Sequence, residues 1–381
     1  MLIVSLLAAI MLTSCAPAAT AAPTTITSTS TPIPIPMNTN SIIPSSIPET
    51  QTGTLIEKYQ NVTGQDLRQY GALGEELITT LWFDDATIWS DQDIPIAKNI
   101  LGLGMNPGLG IRDLHAEGIT GKGVTVAIID QPVILDHPEF QGKIIKYFDV
   151  GTGEFADRGS MHGPAVTSLL VGDNIGTAPD ARVYFVAAPS WLEDAQYYAD
   201  ALNWIIDENE KLPEGQKIRA VSVSTMPTGI WALLHKNHGA WEAAYQRATE
   251  AGILVLDCTY EEGITVSCTH DLNDPDNVTK CIPNWTGPTD SPHRRINIPT
   301  SRTTATERDG SFSYQFTGLG GLSWTVPYLT GVFAMAWQIN PKLPGPQLVE
   351  MLYATSYRNK DGQYIIDPKA FIRMVKHTVD E

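Results

Sequence analysis

Gly121-Lys122-Gly123-Val124-Thr125-Val126-Ala127-Ile128-Ile129-Asp130 is the stretch on which the fold turns. Val124 to Ile129 is a continuous, largely β-branched run, the pattern of a strand buried on both faces. Working outward, Ile144 to Val150, Arg182 to Ala187, Ile218 to Ser224 and Ile253 to Asp257 read as further strands. Ala165 to Val171, Trp191 to Glu210 and Trp241 to Ala251 carry helical periodicity between them. Such alternation predicts an α/β domain, a three-layer, doubly wound, mostly parallel sheet with helices on both faces.

In that architecture ligands bind at the carboxyl ends of the strands, so polar residues standing there are candidates. Asp130 ends the first apolar run. His162 opens a helix in Gly159-Ser160-Met161-His162-Gly163-Pro164-Ala165. Ser323 sits in Gly320-Gly321-Leu322-Ser323-Trp324-Thr325-Val326-Pro327, where glycines give way to a helix ending near Ile339. Alone, each has an ordinary structural explanation as a turn cap, a structural histidine or an N-cap.

Together, Asp130, His162 and Ser323 resemble in order and spacing the subtilase family, the subtilisin-like serine peptidases. Gly121 to Asp130 looks like the family's aspartate segment, and His137-Pro138-Glu139-Phe140 like the element that trails it. His162-Gly163 matches the histidine segment, and Gly176-Thr177-Ala178-Pro179 the Gly-x-Ala-Pro segment. Gly321-Leu322-Ser323-Trp324-Thr325-Val326-Pro327 resembles the serine segment, Gly-Thr-Ser-Met-Ala-x-Pro. The likeness runs from about residue 112 to about residue 357. It implies a subtilisin-like fold in which Ser323 is the nucleophile and His162 the general base. Asp130 then orients the imidazole and stabilises its cation. The helix beginning at Ser323 would point its amides at the developing oxyanion.

Four departures from the family pattern bear on activity. Gln131-Pro132 follows Asp130 where the family carries Ser or Thr and then Gly, and Pro164-Ala165 replaces Thr-His. Ser224-Thr225-Met226-Pro227 stands where a Ser-Leu-Gly segment forms one wall of the substrate cleft. A peptide is expected to add along Val221-Ser222-Val223-Ser224, making Ser222, Ser224 and Thr225 the substrate-binding candidates. Finally, a gapless alignment from Gly252 puts Glu261 where the family has the asparagine that donates to the oxyanion. An ionised carboxylate cannot donate, and losing such a donor costs ~3–4 kcal/mol. Either the site is slow at neutral pH or the donor is replaced: a protonated Glu261 would make the enzyme acid-shifted, Thr259, Tyr260 or Asn284 could donate instead, or the loop is shifted and Glu261 is an exposed charge.

The chain starts MLIVSLLAAIMLTSC, an apolar stretch too short to span a bilayer and ending in small residues. Leu12-Thr13-Ser14-Cys15 resembles the bacterial lipobox, which implies a signal peptide over residues 1–14 and a lipid on Cys15; the usual basic start is missing. Residues 15–54, almost all Ala, Pro, Thr, Ser and Ile, read as an extended tether. Residues 55–114 are a small N-terminal cap or a propeptide, and 115–381 the peptidase domain. The expected location is extracytoplasmic, at the cell surface or secreted. Lys and Arg number 25 against 42 Asp and Glu, a net charge of −17. That acidity argues against nucleic acid or an anionic membrane surface as partner. Protein or peptide substrates, a monomeric state and membrane contact only through the lipid are expected.

With Cys15 assigned to lipid, Cys258, Cys268 and Cys281 remain, and one disulfide among them is expected without a determined pairing. The segment from about 262 to 300 lacks periodicity and reads as an extended loop lining or covering the cleft. Zinc held by the three cysteines and His270 fits no standard spacing. Asp271-Leu272-Asn273-Asp274-Pro275-Asp276 is an oxygen-rich run that suits calcium or a plain turn, and no cofactor is required. Two functions compete: an active endopeptidase, and a subtilase-fold pseudoenzyme serving as a binding or regulatory module. An α/β-hydrolase esterase is disfavoured, because its nucleophile precedes the acid and histidine and too little chain follows Ser323.

Overall fold

The described residues of the computed structural model are 55–153, 160–229, 232–234, 236–259, 263–284, 294–308 and 311–379. The expectations placed on the leader, on Cys15 and the tether, and on Tyr260 and Glu261 fall outside them. The chain from Leu55 onward forms one compact unit. It begins with α1 (Glu75–Ile78), β1 (Trp82–Asp84), α2 (Ile94–Leu103) and α3 (Ile111–Ala116).

The alternating region follows, as β2 (Thr125–Asp130), β3 (Ile144–Asp149), α4 (His162–Val171), β4 (Arg182–Ala187), α5 (Ala195–Lys211), β5 (Ile218–Val223), α6 (His238–Glu250) and β6 (Leu254–Asp257). The strands form a parallel sheet in the order β3-β4-β2-β5-β6. Every residue of β2 is buried, so successive side chains must serve two cores. Val126 and Ile128 pack with Val166, Leu170 and Phe333. Ala127 and Ile129 pack with Tyr198, Leu202, Ile205 and Trp241. This is the three-layer arrangement the pattern predicts. From β4 the chain crosses β2 to reach β5, and such a change of winding opens a crevice at the carboxyl end of the sheet. One boundary differs from the expectation: α5 starts at Ala195, because Ser190–Leu192 make a 3-10 turn and the Asp194 carboxylate accepts the Gln196 N–H at 2.9 Å as N-cap.

The segment expected to be a loop carries strands instead. β7 (Thr265–Thr269), β8 (Ile282–Pro283) and β9 (Ile296–Pro299) lie within it, followed by the antiparallel pair β10 (Arg302–Arg308) and β11 (Ser311–Thr317). Then come α7 (Leu322–Ile339), α8 (Gly345–Thr355), β12 (Tyr357–Arg358), β13 (Tyr364–Ile365) and α9 (Pro368–His377). A second sheet has the order β12-β13-β9-β7-β8, built from two short hairpins joined through β9, whose partners β7 and β13 are distant in sequence, so the strands leave little local periodic signal. Within it Cys268 and Cys281 are joined, with Cα atoms 5.6 Å apart, while Cys258 keeps a buried free thiol. The oxidised pair removes two of the sulfurs from the zinc set. In the oxygen-rich run, Lys280 Nζ lies 2.8 Å from an Asp271 oxygen and 3.0 Å from one of Asp274, and Asp271 accepts the Asn273 N–H, a self-satisfied turn. Among the described residues no group of three or more His, Cys, Asp or Glu is placed to hold a metal ion.

Residues 55–114 are stitched into this body. β1 extends the β10–β11 pair, with Phe83 opposite Phe316, and Phe83 meets Trp89 edge-on at 5.1 Å. The fully buried Arg302 donates from Nε to the Gly104 carbonyl at 3.1 Å, and Thr303 Oγ1 donates to the Leu101 carbonyl at 2.7 Å. No helix among the described residues is long and apolar enough to cross a membrane.

Candidate active site

Asp130 is the last residue of β2 and only 2% exposed. A buried carboxylate needs donors, and this one has two on the same oxygen. Its Oδ1 accepts the Gln131 N–H at 2.8 Å and lies 2.6 Å from His162 Nδ1. His162 is the first residue of α4, and Ser160 Oγ accepts the Gly163 N–H at 3.0 Å just after it. Gly163 makes the approach feasible. A Cβ there would overlap the Gln131 carbonyl oxygen and stand 2.5 Å from that of Pro132. The start of α4 therefore lies directly on the backbone that leaves β2.

Burial pushes the His162 cation towards neutrality, but the charge of Asp130 and its hydrogen bond outweigh this, so its pKa stands above the ordinary 6.5. The ring also meets the Trp324 ring edge-on, with centroids 5.6 Å apart. Trp324 packs in turn on Ala165, Leu169 and Ile175, so it fills the space beside α4 as well as touching the imidazole.

Ser323 occupies the first turn of α7, after an extended Gly321. Gly320, at φ +65°, lies so close to Thr300 that a Cβ would overlap its carbonyl oxygen and stand 2.5 Å from its Cβ. Ser323 Oγ donates to the Ser224 carbonyl at 3.2 Å, and Ser224 Oγ donates to the Ser323 carbonyl at 2.9 Å. Among the described residues Ser323 and His162 share no hydrogen bond. The three candidates thus converge on one edge of the sheet: Asp130 on His162, Trp324 on His162, and Ser323 on the residue after β5, the strand beside β2.

The substrate-binding candidates divide. Ser222 is 1% exposed, and its strand is paired on both sides, with Ile128 and with Leu256. No strand edge is free there to receive a peptide, so the expected β-addition does not fit Ser222. Ser224 and Thr225 follow the last paired residue, at the carboxyl edge. Of the suggested oxyanion donors, the Asn284 amide is spent on the Leu319 carbonyl at 3.0 Å, and the Thr259 N–H on Asp257 at 2.8 Å. At the start of α7 the Trp324 N–H is taken by the Gly321 carbonyl at 3.1 Å, which leaves the Leu322 and Ser323 amides ahead of it as the candidate donors.

Two further buried residues feel the charge of the aspartate. Tyr198 is held neutral first by burial and then by the charge of Asp130, and Cys258 first by burial and then by Asp257 and Asp130. Cys258, considered above for a disulfide or for zinc, stands directly after β6; Tyr198 lies within α5 and carried no signal.

The model of the Subtilase family matches residues 121–370. Serine protease AprX of Bacillus subtilis (strain 168) is 25% identical over 291 residues, covering 65% of this chain and 64% of AprX. Subtilisin E of the same organism is 25% identical over 257 residues, covering 64% of this chain and 63% of that protein. Among solved structures, fervidolysin from Fervidobacterium pennivorans, described as a keratinolytic enzyme related to subtilisin, is similar with a TM-score of 0.49 at 15% identity. That match covers 73% of this chain and 46% of that one. The chain spans somewhat under two thirds of the length of the first two relatives.

Proposed function

Because this chain belongs to the subtilase family, we propose that it is an extracytoplasmic serine endopeptidase cutting proteins or peptides through Asp130, His162 and Ser323. The observation that carries the reading is the 2.6 Å bond from His162 Nδ1 to a buried Asp130, at the sheet edge where α7 presents Ser323. With Nδ1 engaged, Nε2 is the ring nitrogen left to take the Ser323 proton. Ser323 Oγ then bonds to the substrate's carbonyl carbon, and His162 returns the proton to the amine as the C–N bond breaks. Water, deprotonated by the same imidazole, cleaves the acyl-enzyme and restores Ser323.

The raised pKa of His162 runs against an acid-shifted enzyme, since a base must be unprotonated to act. Activity is therefore expected to rise towards neutral pH, with α7 amides serving the oxyanion whatever Glu261 does. A fluorophosphonate probe tests the reading: Ser323 should label in the wild type and not in His162→Ala. Absence of labelling from about pH 4 to 9 would overturn it. That result would instead favour a pseudoenzyme that binds or regulates, a reading supported by the Ser323 hydroxyl resting on Ser224. The reading also includes cleavage before Cys15, its lipidation, and residues 16–54 as a spacer. Cys15→Ser should then release the protein from the membrane fraction.

A further inference from the structure

Within an α-helix each carbonyl accepts the N–H four residues on. Pro327 lies four residues after Ser323 inside α7 and has no N–H to give. The carbonyl of the serine itself is thereby left without its helical donor, on a helix buried from Trp324 to Trp337, where water is a poor substitute. Ser224 fills the gap, its hydroxyl donating to that carbonyl at 2.9 Å, and it is only 7% exposed. The exchange is mutual, since Ser323 Oγ donates back to the Ser224 carbonyl at 3.2 Å.

Ser224 is itself well anchored. Val223 before it pairs with Ile129 of β2 and Asp257 of β6, and the Thr225 carbonyl after it accepts the Cys258 N–H at 2.9 Å. The double contact therefore ties the serine-bearing helix to the neighbour of the strand that carries Asp130. We infer that Ser224 is a positioning residue for Ser323: it supplies the hydrogen bond that Pro327 removes and so registers α7 against the Asp130–His162 pair. This rests on Ser323 being the nucleophile, and it assigns Ser224 a role other than contact with substrate.

The test is a two-residue cycle of Ser224→Ala and Pro327→Ala, singly and together, read by the rate of fluorophosphonate labelling, by kcat and KM on a peptide substrate, and by thermal melting. Ser224→Ala should lower labelling and kcat about 5- to 10-fold with KM within about 2-fold, the effect of one lost hydrogen bond on the reacting group. In the Pro327→Ala background a backbone N–H is restored at position 327, and the same change should cost less than about 2-fold. An equal loss in both backgrounds, or a loss confined to KM, would overturn the inference while leaving the peptidase reading intact. If Ser224→Ala does not fold, Ser224→Thr against Ser224→Val compares similar shapes with and without the hydroxyl. Thr should keep the rate, and equal rates would overturn the inference. Should the wild type fail to label, the peptidase reading falls. Melting temperatures across the cycle then decide about the contact, non-additive shifts supporting it and additive ones refuting it.

Discussion

The two halves of the candidate site, Asp130 with His162 and the proposed nucleophile Ser323, are held in different ways. Asp130 and His162 are joined by a short bond between a buried carboxylate and a ring whose pKa that carboxylate holds above the ordinary value. Charge-assisted bonds are roughly twice as strong as neutral ones, and this one is present without substrate. Ser323 bears no charge, and its hydroxyl donates to the Ser224 carbonyl at 3.2 Å. One half is assembled in advance, whereas the other holds its backbone in place and leaves the hydroxyl to turn. A reacting constellation therefore does not need every contact made at rest. On the proposed reading it needs its members' main chains fixed, with the serine hydroxyl left to exchange one acceptor for another.

The largest effect that sharpens this contrast is expected from Asp130→Asn, which should lower kcat about 10⁴-fold by leaving the imidazole in the wrong tautomer. The same variant should lose the raised His162 pKa, which NMR titration of the ring would report. Next comes Gly163→Ala, whose Cβ overlaps the backbone after β2. Displacing His162 by even ~1 Å should cost about 10²-fold in kcat, measured beside the melting temperature. Third, log kcat/KM should climb with pH at about one unit per pH unit until the His162 pKa, above 6.5, is passed. Stability takes the opposite sign. A raised folded pKa contributes fully below the unfolded value near 6.5 and is lost as pH rises through the folded one, so the wild type should lose more stability than His162→Ala over that window. The smallest effect is expected from Trp324→Phe. It removes ring volume beside His162 but also a buried Nε1 that has no partner among the described residues. Stability should stay within about 1 kcal/mol and labelling within about 3-fold.

Most of the first sheet could be read from the chain because its strands are apolar, continuous and separated by amphipathic helices. Asp130 and His162 were legible for the same reason, standing where such elements end or begin. The second sheet was not. Thr265–Thr269 is largely polar, β8, β12 and β13 are two residues each, and partners such as Tyr364 and Ile296 are far apart in sequence. β10 shows the limit most clearly: Arg302 to Thr306 is polar apart from Ala305, yet all five residues are buried, because distant segments supply its cover. Pro327 stood in plain view four residues after Ser323, but that Ser224 would reach the orphaned carbonyl depends on how β5 lies against α7, which no local pattern encodes.

The bridge between Cys268 and Cys281 has a reach beyond its own hairpin. The Cys268 carbonyl accepts the Thr300 N–H at 2.9 Å, Thr300 presses on Gly320, and Asn284, three residues past Cys281, fastens the Leu319 carbonyl. The sulfur staple thus acts as a buttress under the bend from which the serine springs. Closing a loop of this size restricts the unfolded chain by about 3 kcal/mol, and reduction is expected to weaken the support under Gly320 and Ser323.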